Sequence, residues 1–92
     1  MKLALSNIKT ELESLAGWHY ADDAIYCTFV FHTFAQAFGF MAEIALAAET
    51  AGHHPDWRNV YTTVEVTLTT HDAGGVTAKD IALAHVMDAA AA

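Results

Sequence analysis

Ile25-Tyr26-Cys27-Thr28-Phe29-Val30-Phe31-His32-Thr33-Phe34-Ala35-Gln36-Ala37-Phe38-Gly39-Phe40-Met41 changes its hydrophobic period part-way along. As far as His32 it is β-branched and aromatic, with Ile25, Cys27, Phe29 and Phe31 at every second position. That alternation predicts a strand with one buried face. From residue 33 to 51 the period becomes helical. Phe34, Ala37, Phe38, Met41, Ala45 and Ala48 share one face, and Phe40, Ile44 and Ala47 widen it. Thr33 reads as the N-cap and Gly52 as the left-handed stop. Glu43 and Glu49 are the only charges in this helix. So wide an apolar stripe is expected to be buried on more than one side, against a sheet and a second subunit.

Toward the N-terminus, Leu5, Ile8, Leu12 and Leu15 predict a helix over residues 3–16, stopped by Gly17. Trp18-His19-Tyr20 is expected to pair with the 25–32 strand as a hairpin arm, through a turn at 21–24. Toward the C-terminus, His53-His54-Pro55-Asp56 is a loop in which Pro55 bars further helix. Two strands are expected next, over 57–61 and 64–71. In the second, Val64, Val66 and Leu68 face one way and Glu65, Thr67, Thr69 and His71 the other. The core therefore lies under one face of the sheet. Asp72-Ala73-Gly74-Gly75 is a turn. Thr77 caps a last helix, with Asp80 three residues on, and Ile81, Leu83, Ala84, Val86 and Met87 form its apolar side. The order α-β-β-α-β-β-α, with strands in adjacent pairs, predicts an α+β two-layer domain spanning 1–92. It has a four-stranded antiparallel sheet with helices on one face.

Composition narrows the function. Eleven acidic residues against four basic ones leave a formal charge of −7, which repels phosphate backbones and argues against nucleic acid or an anionic membrane as partner. Cys27 is alone, so no disulfide forms within the chain. No stretch reads as a signal peptide or approaches the ~20 apolar residues of a membrane span, and a cytoplasmic location is expected.

Six histidines concentrate attention on three of them. His53 and His54 follow the end of a helix, held by Gly52 and Pro55, and His71 ends a strand on its polar face. Brought together, they form either a proton-handling site or, with further ligands, a metal site. Surface histidines without a task are the remaining reading. Adjacent histidines diverge and no His-x-x-x-His pair is present, which disfavours zinc. Imidazole, with an unperturbed pKa of ~6.5, suits acid–base work near neutrality. His19, His32 and His85 read as surface or interface residues. Trp57 is a core anchor or a stacking platform, and Glu49 either orients an imidazole or is simply solvated.

The pattern Glu49-x-x-x-His53-His54-Pro55, then Tyr61, His71 and Asp80, resembles the signature of the pterin-4a-carbinolamine dehydratases. So do Asp56-Trp57, Asn59-Val60-Tyr61, Thr67-Leu68-Thr69-Thr70-His71, Lys79-Asp80-Ile81, and Phe31-x-x-Phe34 leading into Gly39-Phe40-Met41. The likeness runs over about residues 17–88. It implies the same α+β fold, and a homodimer or homotetramer assembled through sheet edges and helices. The implied activity is dehydration of 4a-hydroxytetrahydropterin to quinonoid dihydropterin, which recycles the cofactor of aromatic amino-acid hydroxylases, with neither metal nor organic cofactor. His53, His54 and His71 would carry the catalysis, His53 and His71 moving protons and His54 positioning or assisting. Gly52, Thr69, Thr70, Asp72, Glu49, Trp57 and Asp80 would surround the pterin. Two departures stand out: Gly52 replaces a larger, often acidic residue, and the N-terminal arm is short. A protein-binding coactivator module of the same fold, and a dehydratase for a molybdopterin-related pterin, are the alternatives.

Overall fold

A two-residue turn joins the first two strands. In this computed structural model, which describes residues 1–92, β1 (His19–Ala21) returns as β2 (Ala24–Val30) through Asp22 and Asp23 alone. Both aspartates have positive φ, 49° and 63°, the pattern of a type I′ turn whose twist matches that of the strands. Aspartate tolerates this region because its short side chain bonds locally. The Tyr20 hydroxyl also donates to Asp23 Oδ1 at 3.2 Å, and Thr69 Oγ1 donates to the Asp23 carbonyl at 2.8 Å.

The remaining elements are α1 (Leu5–Leu12), α2 (Phe34–Ala51), β3 (Asp56–Val60), β4 (Thr63–Leu68), a 3-10 turn (His71–Ala73) and α3 (Ala78–Ala91). The sheet order is β1-β2-β4-β3 and every pair is antiparallel. The fold is thus the expected α+β arrangement, with the elements in the expected order. β2 and β4 are central. Their register sets Ile25 opposite Leu68, Cys27 opposite Val66 and Phe29 opposite Val64, which puts the apolar residues of both strands on one face. That face packs against Ala37, Phe40, Ile44 and Ala48 of α2 and Ile81, Leu83, Ala84 and Met87 of α3. The other face carries Tyr26, Thr28, Thr67 and an exposed Arg58–Glu65 ion pair at 2.6 Å, which contributes ~1 kcal/mol at most.

Several details differ from the sequence-based expectation. The first helix ends at Leu12, and residues 13–15 continue it only as turns. Gly17 is not a left-handed stop, since the glycines with positive φ are Gly52 and Gly74. The unwinding lets Leu15 and Trp18 enter the core, where Trp18 Nε1 donates to Asp88 at 2.9 Å. In α2 the buried stripe is centred on Phe40 and Ile44, while Phe34, Phe38 and Leu46 are exposed. Val86 likewise points outward from α3. Periodicity alone could not orient α2, because nearly every face of it is apolar. The fourth strand stops at Leu68, so His71 opens a 3-10 turn rather than closing a strand.

Leu68 is fully buried at the centre of this packing. Leu68→Ala is expected to cost about 2–5 kcal/mol, the range for truncating a buried leucine, measured as a lower urea midpoint with an unchanged slope.

Cys27 is buried under the same helices. Burial, and after it the nearby Asp88 carboxylate, pushes its thiol up from 9.0 to about 11. Between these values the unfolded chain gives up the proton while the folded chain holds it. The stability this thiol contributes is therefore complete below pH 9 and is lost as pH rises toward 11. Urea titrations at pH 8 and pH 10.5 are expected to show a steeper loss in the native sequence than in Cys27→Ala.

Candidate active site

The site begins where α2 stops. Gly52 adopts φ 63°, its N–H bonds to the Glu49 carbonyl at 3.2 Å, and the His53 N–H bonds to the Ala48 carbonyl at 3.1 Å. This paired closure of a helix end requires a left-handed residue and turns the chain sharply into His53-His54-Pro55. A Cβ at Gly52 would meet nothing within 4 Å. A larger side chain here would be accommodated in space, with only the left-handed backbone opposing it.

The two adjacent imidazoles then part company. His53 turns inward and its Nε2 lies 2.5 Å from Asp80 Oδ1. Asp80 is wholly buried in the first turn of α3, where it completes a capping box with Thr77. Its Oδ2 accepts from the Thr77 N–H at 2.9 Å and from Thr70 Oγ1 at 2.8 Å. The Thr77 hydroxyl stands 2.6 Å from the Thr70 hydroxyl. With the Thr70 proton directed to Asp80, Thr77 is the donor of that pair. Every contact of Asp80 is thus to a donor, as a carboxylate requires. In the tautomer this dictates, His53 carries its proton on Nε2. Its Nδ1 has no protein partner and is not wholly sealed from solvent. His54 turns outward and its Nε2 meets Glu49 Oε1 at 2.6 Å, both side chains being well exposed.

Opposite them, Thr70 bridges to Gly75, closing a loop that holds the 3-10 turn and is capped by Gly74 at φ 73°. The result is a cavity of about 230 Å³ between three segments. Gly52, His53 and His54 come from the end of α2. Thr69, Thr70, His71 and Asp72 come from beyond β4, and Lys79 from the start of α3. None of these is an apolar residue. All three histidines singled out from the sequence line it, as do Gly52, Thr69, Thr70 and Asp72.

Other expected site residues stand back from the cavity. Asp80 and Glu49 reach it through the imidazoles they hold. Trp57, on β3, pairs with Val66 of β4 and packs against the core. The Thr69 hydroxyl is taken up by Asp23. Tyr61 turns the β3–β4 hairpin at the opposite end of the strand, with φ 54°. His19, which stacks on Tyr26 at 5.3 Å, and His32 and His85 are exposed and line no part of the cavity. No group of three or more His, Cys, Asp or Glu side chains is arranged to hold a metal ion. Sequence reasoning assigned no site role to Thr77 or Lys79. Thr77 was legible as a cap, and Lys79 lay in the run Lys79-Asp80-Ile81 without a stated task.

Comparison with known proteins agrees with this geometry. The family model described as pterin 4 alpha carbinolamine dehydratase matches residues 1–90. A protein of Rhodopseudomonas palustris (strain BisB18) is 64% identical over 83 residues, 88% of this chain and 82% of its own. A protein of Mesorhizobium japonicum is 56% identical over 89 residues, 95% of this chain and 91% of its own. Both carry the provisional name pterin-4-alpha-carbinolamine dehydratase. Among solved structures, a transcriptional coactivator/pterin dehydratase from Brucella melitensis superposes with a TM-score of 0.97 at 46% identity, each chain covered completely. A pterin dehydratase-like protein, described as a RuBisCO assembly factor of the alpha-carboxysome, gives 0.67 at 25% identity, over 80% of this chain and 86% of its own. The helix-end histidines, the buried aspartate beneath them and these matches lead to one assignment: the chain belongs to the pterin-4a-carbinolamine dehydratase family.

Proposed function

We propose that this chain is a hydro-lyase that dehydrates 4a-hydroxytetrahydropterin to quinonoid dihydropterin. The observation that carries the reading is His53, held at Nε2 by the buried Asp80 and lining one cavity with His54 and His71. In the reaction a ring nitrogen next to C4a loses its proton and its electron pair forms the C=N bond. The 4a-hydroxyl departs and takes up a proton to become water. One group must accept a proton while another supplies one, and positioned imidazoles do both near neutrality. His53 Nδ1 is suited to the acceptor role because the Asp80 carboxylate stabilises the imidazolium that forms. His71, exposed at the cavity rim, is suited to protonate the leaving hydroxyl. His54, braced by Glu49, orients or assists. Gly52, Thr69, Thr70 and Asp72 supply the polar wall along which the pterin lies. The chemistry calls for no metal or organic cofactor.

On this reading residues 1–92 act as one domain in the cytoplasm, coupled to an aromatic amino-acid hydroxylase whose spent cofactor it returns. The exposed Phe34, Phe38 and Leu46 of α2 supply the surface for a homodimer or homotetramer. The decisive assay follows the absorbance of the 4a-hydroxypterin made by such a hydroxylase. Its decay is expected to accelerate when this protein is added, and an unchanged decay overturns the reading for that substrate. A second reading rests on the two solved relatives named for a coactivator and an assembly role: the same fold docks a protein partner. Partner capture that survives loss of His53 and His54 would favour it. A dehydratase for a molybdopterin-related pterin would use the same cavity.

A further inference from the structure

The cavity around the histidines is small, about 230 Å³, below the ~300–1,000 Å³ usual for small-molecule sites. A ligand larger than a bare bicyclic ring must extend beyond it. The adjoining space is a groove of about 800 Å³ that shares Thr70, Asp72 and Lys79 with the cavity and continues along Lys2, Thr77 and Ala78. The chain has only four basic residues against eleven acidic ones, yet two of the four line this groove. Lys79, exposed, forms no ion pair. Lys2 has only a 3.8 Å contact with Asp23, both side chains being more than half exposed, an arrangement that holds neither tightly. Two carboxylates stand near these lysines, Asp72 on the groove wall and Asp23 beside Lys2. In a chain with so few cations, half of the basic side chains gather along this one groove leading away from the histidines.

The geometry points to a pterin whose ring substituent bears an anionic group, phosphate or carboxylate, held in this groove with Lys79 at its mouth and Lys2 farther along. This rests on the proposed dehydratase reading and names the class of substrate it acts on. Lys79 is then the specificity-determining residue, since it borders both spaces.

Binding of matched ligand pairs tests it. 6-Hydroxymethyl-7,8-dihydropterin is compared with its monophosphate, and 6-hydroxymethylpterin with pterin-6-carboxylate, by isothermal titration at ~10 mM salt. Each anionic member is expected to bind about five- to tenfold tighter than its neutral partner, the advantage shrinking as salt rises past 0.1 M. Lys79→Met and Lys2→Met are expected to reduce the preference, and Lys79→Arg to keep it. A larger advantage for the monophosphate than for the carboxylate assigns the group as phosphate, and the reverse assigns carboxylate. Equal affinities within both pairs, or a preference indifferent to both Met substitutions, overturns the inference. The dehydratase reading is judged separately on the decay of a neutral 4a-hydroxypterin: acceleration with equal affinities sinks only the anionic class, whereas no acceleration sinks the dehydratase reading itself.

Discussion

Asp80→Ala is expected to lower the free energy of unfolding by about 3 kcal/mol. The loss has separable parts. Removing the reciprocal cap of α3 accounts for ~1 kcal/mol. The Thr70 hydroxyl and the His53 Nε2–H lose their buried acceptor, at ~1 kcal/mol each. The ~3–5 kcal/mol cost of stranding a buried charge does not arise, because the partner left behind, His53 with its single proton on Nε2, carries no charge in that tautomer. For a domain of this size such a loss lowers Tm by about 12–24 °C. A loss within ~0.5 kcal/mol of zero by urea titration would show that the Asp80 cluster does not brace the α2–α3 junction. Asp80→Asn separates folding from chemistry. The asparagine carbonyl still accepts from Thr77 and Thr70, so most stability remains. Its amide then faces His53 Nε2 as a donor and drives the proton of His53 to Nδ1. Nδ1, the proposed proton acceptor, is then no longer basic, and dehydration is expected to fall by ~10²–10⁴. Asp80 acts through His53 as a positioning residue, so a falling rate with a nearly unchanged melting curve is the signature to look for.

The second large effect is expected at His53 itself. His53→Gln removes the proton acceptor while keeping a polar side chain near Asp80, and the dehydration rate is expected to drop by ~10²–10⁴. The His53→Ala, His54→Ala double variant is expected to return the 4a-hydroxypterin to its uncatalysed decay. Losses at the two sites are not expected to add, because groups that act in one proton transfer fail together. His85→Ala serves as the control. His85 is exposed on α3 and lines no part of the cavity, so its rate and melting temperature should stay close to those of the native chain. A His53→Gln variant as fast as the native chain would remove the basis for assigning proton transfer to this cavity.

Much of this protein was legible along the chain because its signals are local. The change of period at His32, the caps at Thr33, Gly52 and Thr77, and the alternation of Val64, Val66 and Leu68 depend on neighbours a few residues apart, and each appears in the fold. The order of elements followed from them. What stayed hidden depends on pairs far apart in sequence. α2 is apolar on nearly every face, so only its packing against the sheet and α3 selects Phe40 and Ile44 over Phe34 and Phe38. Leu15 and Trp18 are drawn inward by the core, which ends α1 before Gly17. Trp57 is placed by the register of β3 on β4.

The site divides in the same way. Composition and spacing alone reach a set of histidines at a rigid helix end, and the step to pterin chemistry comes from the family pattern they stand in. That His53 and His54, adjacent in the chain, hold different carboxylates, one buried and one exposed, is decided by tertiary structure. The closure of α2 at Gly52 aims one imidazole at Asp80, 27 residues onward, and leaves the other beside Glu49. The role of Lys79 at the junction of cavity and groove is likewise set by where α3 docks. The sequence by itself determined the residue types, the caps and the strand and helix periods, since these follow from contacts within a turn or along a strand. Only the folded chain decided which imidazole is held in the interior, because that depends on a buried carboxylate whose burial requires the whole core to have formed.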